Sequence, residues 1–188
     1  MKKSVYLGKG HFAPEEAAPC EPTPGEVRLR VAWCGICGTD LHVFHGKMDT
    51  RVKPPQVIGH EMSGVIDAVG KDAAGWKAGD RVTVRPLGSC GQCPACKAGH
   101  SHVCMSLRFM GIDTPGAFQE RWNVPASLLH RLPAGLPLDR AALIEPLAVA
   151  CHDVRRARLA AGEKAVVLGA GPIGMFVALV ARARGAEL

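Results

Sequence analysis

Apolar and polar positions alternate along Glu26–Trp33. Val27, Leu29 and Val31 are separated by the charged Arg28 and Arg30. This period of two is that of a half-buried β-strand with one face on a core and the other on water. Ser63–Val69 reads as a second strand, led in by the apolar pair Val57-Ile58. Farther on, Leu147–Arg158 is predicted helical. The short apolar stretch after Lys164 reads as a buried strand running into a glycine-rich turn, then into a helix over Met175–Arg184 closed by Gly185. That helix is apolar nearly all round, from Met175 to Val180, as a helix packed against a sheet should be. Thr39 is placed to cap a short helix over Asp40–Val43, and Pro14 to Pro24 is a loop. The order predicts a strand-rich body followed by a single strand–turn–helix unit.

Hydrophobic residues make up 47% of the 188 positions, enough for a real core. Aromatics at 5% make that core mainly aliphatic. The formal charge is +6, and the tight basic cluster Arg155, Arg156 and Arg158 has the spacing of a solvated helix face, so no nucleic-acid partner is expected. No apolar run approaches membrane-spanning length, so no membrane partner is expected either. Lys2 and Lys3 are followed by no apolar stretch of the signal-peptide kind, and a cytoplasmic, reducing setting is expected. In that setting cysteines serve better as metal ligands than as disulfides.

Four of them stand in the run Cys90-Gly-Gln-Cys93-Pro-Ala-Cys96-Lys-Ala-Gly-His-Ser-His-Val-Cys104. Such spacing brings four thiolates to one tetrahedral centre, the preference of a structural zinc ion. Disulfides and an iron–sulfur cluster are the other uses of the pattern. Gly91, Pro94 and Gly99 supply turns between the ligands. A closed cage leaves no position for substrate, so chemistry must lie elsewhere. Upstream, Cys37 and the pair His60-Glu61 can form a mixed Cys/His/Glu zinc site with a position left open. Glu145, an acid within the apolar run Leu143–Leu147, is a further candidate ligand, or else a helix-start carboxylate. Either Glu61 or Glu145 can complete the shell. Downstream, Gly169-Ala-Gly171-Pro172-Ile173-Gly174 follows a strand pattern and opens a helix, the setting of a dinucleotide-binding turn. There a pyrophosphate would lie against unpaired N–H groups at the helix N-terminus.

Taken together, Cys37-Gly-Thr-Asp-Leu-His42, Gly59-His60-Glu61, Asp80-Arg81-Val82, the four-cysteine lobe, Leu143-Ile-Glu-Pro-Leu147 and Gly169–Met175 resemble the zinc-dependent medium-chain dehydrogenases. The segment around Glu145 resembles their polyol branch, that of sorbitol and threonine dehydrogenases. The resemblance implies a mainly β fold. A GroES-like β-barrel catalytic domain, residues 1–162, would carry one catalytic and one structural zinc, and the first βα unit of a Rossmann domain would cover 163–188. It also implies oxidation of a small-molecule secondary alcohol (a polyol, sugar alcohol or related hydroxy compound) with NAD or NADP, and a homo-oligomer, dimer or tetramer, in the complete enzyme. Thr39 would take the alcohol proton and His42 would hand it on, as in the relay of threonine dehydrogenase.

The chain holds one βα unit where a Rossmann sheet needs several, and the acidic residue expected about 20 positions past the glycines is absent. The 188-residue polypeptide is therefore expected to be inactive by itself. A non-catalytic zinc-binding domain serving assembly is the alternative reading.

Overall fold

The computed structural model describes residues 1–187, which divide into two compact units, Met1–Ala142 and the residues from Leu143 on. The first unit holds β1 (Lys2–Gly8), β2 (His11–Glu16), β3 (Glu26–Gly35), α1 (Gly38–Phe44), β4 (Gln56–Val57), β5 (Glu61–Val69), β6 (Arg81–Val84), β7 (Leu87–Gly88), α2 (Pro94–Lys97), β8 (Arg108–Phe109), β9 (Arg121–Pro125), β10 (Leu129–Arg131) and α3 (Leu138–Ala141). α4 (Ile144–Arg156) and α5 (Pro172–Ala183) belong to the second.

The alternation along β3 does what its period dictates. Val27 and Leu29 are fully buried and join Met62, Ile66, Val82, Val84, Trp122 and Val124 in the main core. β3 pairs antiparallel with β5 from Val27 opposite Val69 to Gly35 opposite Glu61, with two bulges along the way. Bulges bend and coil a sheet. The closed β-barrel expected from the sequence does not form. Among the described residues the strands make a five-stranded sheet of order β10-β6-β5-β3-β9, a three-stranded sheet β2-β1-β4 and the two-stranded β7-β8. Closure requires the two edge strands to share a ladder. Here β9 and β10 are joined by a 3₁₀ turn, Ala126–Leu128, and β10 pairs over three residues with β6 alone. The unit is a mixed α/β domain with open sheets.

A smaller core, Tyr6, Val43, Val52, Ile58 and Ile112, lies under α1 and the segment before His60. The Tyr6 hydroxyl donates to Asp49 Oδ1 at 2.7 Å, which satisfies its one polar atom inside that core.

In the second unit α4 and α5 pack through Ala150, Val154, Val180 and Ala181. The buried strand expected after Lys164 is not there. Its pairing is one parallel bridge, Lys164 with Glu187, and Val166 and Leu168 are 87% and 93% exposed. A central strand is buried by neighbours on both sides, and the described residues supply one partner residue. The helix after it does form, because its hydrogen bonds are internal.

Candidate metal centres and glycine turn

The β3–β5 register sets Cys34 opposite Met62 and Gly35 opposite Glu61, so the chain leaving β3 reaches Cys37 beside His60-Glu61. The ligand atoms of Cys37, His60 and Glu61 lie within 4.8 Å of one another. Gly35 is part of the reason. A Cβ there would come within 2.6 Å of a Glu61 carboxylate oxygen, so a larger residue would push that carboxylate from its place beside Cys37 and His60. Cys37 is the N-cap of α1, a place the sequence reading assigns to Thr39. Its N–H donates to Asp40 Oδ2 at 2.8 Å.

The electrostatics of this cluster fit a cation. Burial pushes the thiols of Cys34 (to about 12) and Cys37 and the carboxyls of Asp40 (to about 6) and Glu61 above their usual ranges. The charge of Glu61 adds to the rise in the first three. Among the described residues no lysine or arginine forms a salt bridge with any of them. A positive ion is what such a set of acids lacks. Burial also lowers His60 to about 4, so its imidazole is neutral at pH 7, as a metal ligand must be. His60 Nδ1 lies 3.8 Å from Asp40 Oδ1, and neither atom has a hydrogen-bond partner among the described residues. An Nδ1–H turned toward this carboxylate would leave Nε2 with the lone pair, the arrangement common to metal-binding histidines. Asp40 is a site residue that the motif contained and the sequence reading passed over. Its burial, 4% exposed, is what reveals it.

Cys90, Cys93, Cys96 and Cys104 form a second set, their sulfurs likewise within 4.8 Å of one another. Gly91 and Gly99 take positive φ, 71° and 81°, at the turns between ligands. Backbone N–H groups of Gln92 and Cys93 point at the Cys90 sulfur (3.5 and 3.4 Å), and those of Cys90 and Ser106 at the Cys104 sulfur (both 3.3 Å). Donors aimed at sulfur favour the thiolate. Cys90 is lowered for that reason and Cys93 falls to about 6, while Cys96 rises to about 11, chiefly from burial and then from its hydrogen bond with Cys93. Sulfurs that share too few protons in this way fit one zinc ion.

The remaining sequence candidates are Glu145, His42 and the glycine turn. Glu145 lies in the second unit, in the first turn of α4, the place of a helix-start carboxylate. His42 is exposed in the last turn of α1. At the glycine turn, Gly169 takes φ 111°, and a Cβ at Gly174 would meet its carbonyl oxygen at 1.9 Å. Gly171 caps α5, with Pro172 and Ile173 as its first residues. Nothing lies within 4 Å of a Cβ built on Gly171, which leaves its backbone open to a ligand. A pocket of about 820 Å³ between Cys20, Arg28, Arg108 and Trp122 includes neither Cys37 nor His60.

Residues 23–134 match the family described as the alcohol dehydrogenase GroES-like domain. The chain belongs to this family. Within it, the chain falls in the polyol and threonine dehydrogenase branch of the zinc-dependent medium-chain dehydrogenases. It is 58% identical over 188 residues to 2-dehydro-3-deoxy-L-galactonate 5-dehydrogenase of Pseudoalteromonas atlantica, covering all of this chain and 55% of that protein. It is 40% identical to L-threonine 3-dehydrogenase of Pyrococcus furiosus, over 88% of this chain and 48% of that one. Among solved structures it superposes with a TM-score of 0.89 and 36% identity on a short chain alcohol dehydrogenase from Escherichia coli CFT073 complexed with NADH, covering 96% of this chain and 52% of that one. The chain thus spans about half the length of these relatives. No described helix is long and apolar enough to cross a membrane.

Proposed function

We propose that this chain is the zinc-binding part of an NAD(P)-linked dehydrogenase that oxidises a secondary alcohol of a sugar acid, polyol or related hydroxy compound. The observation that carries the reading is the meeting of Cys37, His60 and Glu61 within 4.8 Å, separate from a complete four-cysteine set. Three ligands leave a zinc ion a fourth position for substrate, whereas four thiolates close it. The NADH bound to the Escherichia coli relative and the sugar-acid substrate named for the Pseudoalteromonas protein support the cofactor and the substrate class.

When bound, zinc supplies Lewis acidity toward a hydroxyl oxygen, and the nicotinamide supplies a hydride acceptor. Cys37, His60 and Glu61 would hold the ion and leave a position open to a hydroxyl oxygen. His60 is neutral at pH 7 and binds without first losing a proton. Thr39, at the start of α1, accepts the alcohol proton on its hydroxyl, and His42, three residues on along the same helix face, passes it to water. Gly169, Gly171 and Gly174 clear the backbone at the N-terminus of α5, where Pro172 and Ile173 open the helix toward a pyrophosphate.

Cobalt substitution tests this. A chain that holds two metal ions, whose cobalt spectrum shifts on adding a sugar acid with a free secondary hydroxyl but not its deoxy counterpart, supports the reading. A spectrum indifferent to every alcohol would leave a zinc-binding domain without a substrate.

A further inference from the structure

The segment that leaves the four-cysteine lobe also builds the wall behind His60. Cys104 is the last thiolate of the lobe, and five residues later the Phe109 ring meets the His60 imidazole edge-on, centroids 4.9 Å apart and planes at 74°. Beyond it the chain runs along the residues that precede His60. Gly116 N–H donates to Val57 O (2.8 Å), Phe118 N–H to Ile58 O (2.9 Å) and Ala117 N–H to Gly59 O (2.9 Å). The approach is as close as backbone allows. A Cβ on Gly111 or Gly116 would come within 2.4 Å of Gly59 O, and a Cβ on Gly59 would lie 2.6 Å from the Phe118 ring.

The lobe itself is anchored where this wall begins. β7 leads into Cys90 and β8 follows Cys104, with Leu87 paired to Phe109 and Gly88 to Arg108. Between these strands, the lobe helix α2 has no buried residue. With so little apolar packing, the shape of the lobe depends on what its sulfurs hold. The lobe is thus strung between β7 and β8, and β8 carries Phe109.

We propose that the four-cysteine lobe is a positioning device for the other metal site, with Phe109 as the positioning residue that restrains the His60 ring. The proposal rests on the reading that Cys37, His60 and Glu61 take a metal. An imidazole turns about two side-chain bonds, and a ring packed against it keeps the ligand orientation populated before metal arrives. Phe109 supplies no ligand atom. Its contribution is to affinity, by reducing the orientations that binding must freeze out.

The test is zinc release from the full chain to a chromophoric chelator, with the Cys37→Ser variant assigning which ion leaves which site. Phe109→Leu is expected to weaken the Cys37/His60/Glu61 site about 10-fold and leave the lobe site unchanged. It should also shift the cobalt bands of the weakened site, while Phe109→Tyr, which keeps the ring edge, retains the wild-type affinity and spectrum. Cys96→Ser alters the lobe without touching the three ligands and is expected to weaken their site by a similar factor. Equal affinity and spectrum in wild type and Phe109→Leu would overturn the proposal. So would a loss in Phe109→Leu that Phe109→Tyr shares. Should Phe109→Leu fail to fold, an unchanged mixed site in Cys96→Ser overturns it. A wild-type chain that holds a metal in the lobe alone refutes the mixed site itself, and this shows before any variant is made.

Discussion

Asp40 answers two demands at once, and both follow from where its carboxylate sits. One oxygen accepts the Cys37 N–H and so completes the first turn of α1, while the other faces His60 Nδ1. Asp40→Ala removes both. The lost cap costs about 1 kcal/mol, and the site loses about 10- to 100-fold in zinc affinity. Chemical denaturation measures the first and metal competition the second. A fall in stability with unchanged affinity would confine Asp40 to its capping role. A different acid gives a contribution that depends on pH. Asp113 accepts two hydrogen bonds from Arg51, both 2.7 Å, and one from Phe109 N–H at 2.8 Å, and the pairing with Arg51 holds its carboxyl below the usual 3.8. A carboxyl whose folded pKa is depressed adds stability that is fully present above the unfolded value and is lost as pH falls through the folded one. Arg51 is half exposed, so solvent screening keeps the pair to about 1 kcal/mol or less. The gap in stability between wild type and Asp113→Asn should therefore hold from neutral pH to about pH 5 and close below about pH 4. A gap that widens in acid would show that the pair does not titrate this way. Neither pairing was legible in the sequence. Arg51 and Asp113 are 62 positions apart, and no local pattern joins them.

The elements separate by what they need in order to form. The four-cysteine lobe needs little beyond its ligands and turns, and so its spacing could be read directly. Cys96→Ser is expected to lower metal content from two ions to one at saturating zinc and to lower the melting temperature more than Cys37→Ser does, because a loop with little core folds on its metal. Elemental analysis and thermal melts of the two variants check both points. Equal melting shifts would mean that the two sites contribute alike to the fold. α5 was equally legible, since its hydrogen bonds are internal and its glycine turn is local. The strand expected after Lys164 was misread because the strand pattern is only half of a strand. The neighbours that would bury Val166 and Leu168 are not supplied by the described residues. The β-barrel failed as an expectation for a related reason. Closure is decided by whether two distant edges meet in register, and β9 and β10 turn a corner instead.

At the scale of the whole molecule, stability is unevenly distributed between the two units. Leu29 is fully buried in the core of the first, and Leu29→Ala should cost about 3 kcal/mol through lost burial and the cavity left behind. Leu168, 93% exposed, has nothing to lose, and Leu168→Ser should change stability by less than about 0.5 kcal/mol. Denaturant titration of the 188-residue chain compares the two. A large cost at Leu168 would mean that the segment is covered in solution. Ligand types, turn residues and hydrophobic period are properties of short stretches, and from them the sequence alone pointed to the family, the four-cysteine set, Cys37 and His60 with an acid left open between two, and a glycine turn that opens a helix. The tertiary structure decided what depends on distance in space. It groups Glu61 with Cys37 and His60, because the β3–β5 ladder places Glu61 opposite Gly35, where no side chain stands in its way. It also brought Asp40 and Phe109 against His60, since burial and ring contact arise only once chain segments far apart in sequence are packed together.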